Sequence, residues 1–116
     1  MPISPGQGLK EVNLNPVATS QLTAATIDTS TIGDNTLVTP TASQTTKVYK
    51  MVLGISPSTT IRIKNGATTL TGPIKVSSMT LDFDSEPWFV TSANSTLTLW
   101  LNEATNAAGR IYYIKD

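Results

Sequence analysis

A chain of 116 residues has the length of one domain with one modest hydrophobic core. Hydrophobic residues make up 39% and charged residues 14%, and eight Lys and Arg balance eight Asp and Glu, so no long-range field gathers nucleic acid or an anionic membrane surface. Cys and His are both absent, which excludes disulfides, thiol chemistry and zinc–thiolate sites and removes the commonest general base.

Ser and Thr together fill roughly a quarter of the positions, and Thr, being β-branched, fits a pleated, half-buried surface better than a helix. Residues 1–10 lack a basic segment leading into an apolar one. The longest apolar run, near 51–55, is far too short to span a bilayer. The expectation is a soluble, unprocessed, all-β chain with neither membrane nor nucleic acid as a partner.

From 1 to 33 the apolar residues are scattered among Ser, Thr, Asn, Pro and Gly without a period, and Pro2, Pro5 and Pro16 deny a continuous helix or central strand. This stretch is expected to be an extended arm, with Ile3, Leu9, Val12 and Leu14 laid on the surface of another subunit. A loose terminus is the alternative for 1–16. The compact domain is then 34–116.

Within it, 36–39 forms a short strand ending at Pro40, and 46–55 forms the strongest one, with Tyr49, Met51, Leu53 and Ile55 on one face and Val48 and Val52 on the other. A strand apolar on both faces is covered twice, which makes Tyr49 a candidate for contact with a partner. Residues 59–64 alternate cleanly and lead into Asn65-Gly66, a hairpin signal whose two-residue turn sets Lys64 opposite Ala67, Arg62 opposite Thr69 and Ile61 opposite Leu70. Short strands follow at 74–76, 79–83, 88–90 and 96–102. A turn over 102–109 precedes a closing strand, 110–115. About seven or eight short antiparallel strands separated by turns are the pattern of a β-sandwich or jelly roll.

Chemistry is sparse. Asp82, Asp84 and Glu86 recur at every second position and could gather a hard cation from one strand face, but the Gly turn and distal Glu of a calcium loop are missing, and acids at a strand end more often keep an edge unpaired. Asn94-Ser95-Thr96 matches a glycosylation sequon without a secretory leader and is read as accidental. No catalytic, metal or cofactor site is assigned. Trp100 points away from the face that carries Leu97, Leu99 and Leu101, and either Tyr112 or Tyr113 must also face outward, so Trp100 and Tyr112 join the candidates for contact with another chain.

The segments Asp34-Asn35-Thr36-Leu37-Val38, Lys47-Val48-Tyr49-Lys50-Met51, Lys64-Asn65-Gly66, Leu70-Thr71-Gly72-Pro73, Pro87-Trp88-Phe89 and Gly109-Arg110-Ile111-Tyr112-Tyr113 resemble small β-rich virion proteins of tailed bacteriophages, including capsid decoration or cement proteins. The resemblance is one of turns and apolar spacing and covers about two thirds of the chain. It implies a non-enzymatic structural protein on the capsid exterior, bound to the major capsid protein, often trimeric, with its arm reaching over coat subunits. The number three comes from the resemblance alone. A carbohydrate-binding or adhesive module of a phage fibre or secreted enzyme, stacking sugars on Trp88, Trp100 or the tyrosines, is the alternative from another class.

Overall fold

The computed structural model of the chain describes residues 21–83 and 85–116. Eight antiparallel strands form a single curled sheet: β1 (Thr23–Thr29), β2 (Gly33–Val38), β3 (Thr46–Asn65), β4 (Thr68–Thr69), β5 (Ile74–Leu81), β6 (Phe89–Val90), β7 (Leu97–Leu101) and β8 (Asn106–Lys115). The fold is all-β, and the curl is compatible with a sandwich whose two halves share β3.

That strand is the spine. On one edge it pairs first with β8, through residues 46–56, and then with β7, through 61–65; the other edge takes β6, β5 and β4. β1 continues the sheet beyond β8 and β2 continues it beyond β7. Where two strands appeared separate in the sequence, at 46–55 and 59–64, there is one, running through Ser56 and a cis Pro57. The Pro lacks an N–H, yet it interrupts nothing, because the ladder to β8 ends at Ser56 and that to β7 starts at Ile61. The segments 74–76 and 79–83 likewise merge into β5, whose register against β3 shifts between Gly54 and Thr59.

The face assignment at 46–55 needs a correction. Tyr49 is an extra residue between the Val48–Tyr113 and Lys50–Tyr112 pairs, and such a bulge reverses the alternation that follows it. Val48 therefore shares the inner side with Met51, Leu53 and Ile55, all almost fully buried, while Val52 faces out. These residues join Ile61, Ile63, Val76, Leu97, Leu99, Leu101, Ala107 and Ile111 in one core, with Ile27 and Val38 added from the two outermost strands. At about 1.5–3 kcal/mol for each large side chain removed from water, this row is the main driving force of the fold.

The hairpin after β3 forms in another register. Asn65 pairs with Thr68 and Lys64 with Thr69, so the central residues are Gly66 and Ala67. Gly66 has φ +61° and Asn65 is not left-handed, as in a turn with Gly at its first central position. Asn65 is occupied elsewhere: its amide donates to Ser92 Oγ at 2.9 Å and accepts from the Ser92 N–H at 3.1 Å. Ile61 consequently faces Ile74 and Leu101 instead of Leu70.

The boundary at 33 also moves. Residues 23–29, assigned from the sequence to the arm, pair with β8 along their whole length, and Ile27 reaches the core at 2% exposure. Asn35 closes the β1–β2 connection. Its amide nitrogen donates to the carbonyls of Thr31 (2.7 Å) and Gly33 (3.0 Å), and its oxygen accepts from the Thr29 hydroxyl. Residues 1–20, including the interface candidates Ile3, Leu9, Val12 and Leu14, lie outside the described residues.

β8 starts earlier than expected, at Asn106, and the turn shrinks to 102–105. Gly109 is a paired strand residue between Ile27 and Leu53. A Cβ at this position would fall on the Val52 carbonyl and sit 3.1 Å from Leu53 Cα, so β8 can lie this close to β3 only with Gly here. At Gly54 the nearest atom to an added Cβ is 3.9 Å away. Gly109→Ala is expected to lower stability by about 2–4 kcal/mol in urea unfolding, and Gly54→Ala by less than about 1 kcal/mol; equal effects would refute the close approach.

Candidate functional site

Directly opposed residues of an antiparallel pair share a sheet face, so the registers place the outward side chains in rows. On the β2–β7–β3 half, Asp34, Trp100 and Arg62 form one row, and Thr36, Thr98 and Lys64 form the next. Arg62 lies over the Trp100 indole, with its guanidinium carbon 4.8 Å from the ring centroid. This is cation–π stacking, worth about 0.5–1 kcal/mol at an exposed site. Asp34 belongs to the same row but is bound by Lys64, at 3.0 Å. Arg62 Nε is screened from solvent and has no hydrogen-bond partner among the described residues.

On the β1–β8–β3–β5 half, Ala24, Tyr112 and Lys50 form a row beside Thr26, Arg110, Val52 and Thr80. The Lys50 ammonium and the Arg110 guanidinium both approach the Tyr112 ring, at 5.4 and 5.8 Å. Val52 is 41% exposed among them.

A third apolar area surrounds the β5–β6 connection. Trp88 is 47% exposed, and Phe83 and Val90 are also open to solvent. The indole is held by its N–H, which donates to the Asp82 carbonyl at 2.7 Å, and the Trp88 backbone N–H bonds to Val48 O at 2.7 Å.

Among the sequence candidates, Trp100 faces outward, half-buried under Arg62, and Tyr112 faces outward between two cations. Tyr49 does not: it is buried to 6% exposure and meets Phe83 at a centroid distance of 6.3 Å. The structure does not bring Trp100 and Tyr112 together, since they lie on different halves of the sheet. Asp82 and Glu86 are exposed and Asp84 is outside the described residues; among those described, no three His, Cys, Asp or Glu side chains are grouped to hold a metal ion. Asn94 of the sequon accepts a hydrogen bond from the Ser43 N–H through Oδ1, at 2.8 Å. A shallow cleft of about 320 Å³ lies beside the cis proline, lined by Ser30, Ser56, Pro57, Ala104, Thr105 and Asn106, none of them titratable.

Sequence reasoning missed Arg62, whose role depends on the β3–β7 register, and it left Trp88 undistinguished from the other aromatics. Pro87 just before Trp88 was the available signal, because a turn that carries an indole leaves it short of neighbours. Comparison with protein-family models, with characterised proteins and with solved structures gives no match to this chain.

At the sheet's end Lys47 Nζ lies 2.9 Å from an Asp116 carboxylate oxygen. That hydrogen bond is the chief reason the Lys47 pKa is raised and the Asp116 pKa lowered. The lysine's share of stability is complete below its unfolded pKa and fades as pH rises through the raised one. The aspartate's share is present above its unfolded pKa and is lost as pH falls through the lowered one. The pair is exposed and its effect is small. Lys47→Met should therefore melt slightly below the parent at neutral pH, with the gap closing in acid as Asp116 protonates; a gap that widens in acid would contradict this pairing.

The two indoles should differ in solution. Acrylamide is expected to quench Trp88 efficiently and Trp100 poorly, so Trp88→Phe should remove most of the quenchable fluorescence; persistence of that component would mean the Arg62 cover is absent.

Proposed function

We propose that this chain is a structural virion protein that binds the outer surface of a tailed-phage capsid, contacts the major capsid protein and stabilises the shell as a homotrimer without catalysing a reaction. The observation that carries the reading is the distribution of apolar surface. The inner face of the sheet already has a complete core, and yet aromatic and apolar side chains stand outward on both halves and on the β5–β6 connection. Large aromatics with Arg beside them, outside a finished core, are the composition of protein contact surfaces. The sequence resemblance over 34–115 adds the virion as the setting.

Trp88 favours one second reading. Its ring is exposed and held by its own hydrogen bond, which is what a sugar-stacking platform requires, whereas Trp100 already has Arg62 over its face. A carbohydrate-binding module of a fibre or secreted enzyme is thus the competitor, with Trp88 as the stacking residue in place of Trp100.

Co-sedimentation with purified tailed-phage heads separates the two. Full-length protein is expected to sediment with heads, and deletion of residues 1–16 should leave the melting transition nearly unchanged while weakening attachment at least tenfold, because a segment that orders on its partner contributes contact only in the complex. Failure to sediment, together with glycan-array binding that Trp88→Ala abolishes, would replace the capsid reading by the carbohydrate one.

A further inference from the structure

The cations and acids of this neutral chain are not all paired within it. Among the described residues Lys47 and Lys64 are bound by Asp116 and Asp34, and Lys115 caps the Thr39 carbonyl at 2.6 Å. Arg62 has no carboxylate. The only acid in its row, Asp34, lies across the indole and is held by Lys64. Its Nε is screened and unpaired, which leaves the other guanidinium N–H groups to bond solvent or a carboxylate that arrives from outside. Lys50, Lys75 and Arg110 also lack a carboxylate among the described residues, but only Arg62 there has a buried side-chain donor with no partner.

Four described acids have no ionic partner: Asp28 on β1 and Glu103 after β7 stand apart, and Asp82 and Glu86 stand together. Asp82 and Glu86 are exposed on the β5–β6 connection, next to Trp88 and Phe83, the two most exposed aromatic side chains described. This connection sits beside Val48 and Tyr49 in the first half of β3, whereas Arg62 is in the second half, about a dozen residues further along the same strand. One copy cannot place its own loop on its own Arg62.

We propose that the Arg62–Trp100 pair receives the acidic, aromatic β5–β6 loop of a second copy of this chain. Asp82 or Glu86 supplies the carboxylate that Arg62 lacks, and Trp88 or Phe83 packs beside the Trp100 ring. The contact joins two different patches, so it is heterologous and closes into a ring when the rotation between copies permits. Zero net charge leaves little long-range repulsion against it. The inference shares self-assembly with the proposal above and names the surfaces that would make it; the capsid plays no part in it.

The test is therefore made without capsids, by light scattering coupled to size exclusion on the full chain at tens of micromolar protein. A mass of several copies is expected, with Arg62→Glu and, separately, Asp82→Lys with Glu86→Lys each raising the dissociation constant at least tenfold, and the combined charge reversal regaining most of the loss. The loop substitutions are at exposed positions and keep the test decisive if Arg62→Glu does not fold. A monomeric parent would overturn the inference, as would an assembly indifferent to the loop substitutions or a combined variant no tighter than the single reversals. Capsid attachment by such a monomer would still support the capsid role, though not the trimer, of the proposed function, so the two can fail separately.

Discussion

A strand can hydrogen-bond along only two edges, and β3 fills both for most of its twenty residues. Five of the other seven strands pair with it directly, and β1 and β2 attach through β8 and β7. Its inward row from Val48 to Ile63 is also the continuous part of the core. The register of β3 therefore decides which residues of nearly every other strand face in. A slip of one position would put Arg62 and Lys64 into the core and Ile61 and Ile63 into water.

The bulge at Tyr49 and the register change between Gly54 and Thr59 keep that long strand compatible with a curled sheet. Each has a consequence for the surface. The bulge takes Val48 from the outer face, where alternation from Val52 would put it, and leaves Lys50 and Val52 there. The bend allows β7 and β8, which are consecutive in the chain, to occupy successive stretches of one β3 edge, and their short connection lies against the cis proline. Trp100 and Tyr112 consequently stand on different halves of the sheet and act as separate features.

Cation–aromatic pairing is the recurring device of the outer surface. Arg62 on Trp100 and Lys50 with Arg110 on Tyr112 cover rings that would otherwise be open to water, and they do so with groups still able to bind a carboxylate. Trp88 has no such cover and is fixed from beneath by its own N–H. These contrasts follow from cross-strand position: a long cation opposite an aromatic folds over it, and an aromatic on a connecting loop has no opposite residue.

The all-β class, the antiparallel strands and the inward set Ile61, Ile63, Leu97, Leu99 and Leu101 were legible in the sequence, because period-two alternation and turn residues are local properties. The outward direction of Trp100 was legible for the same reason, as was that of one of Tyr112 and Tyr113. The merging of two apparent strands into β3, the Gly66-Ala67 turn, the membership of 23–29 in the sheet and the inward turn of Val48 were not, since each depends on a bond to a residue far along the chain: β8 for the bulge and for β1, Ser92 for Asn65. The candidate site divides in the same way. Alternation alone put the indole of Trp100 on the outer face, and only the pairing of β7 with β3 put Arg62 over it, because no local pattern states which residue will be opposite.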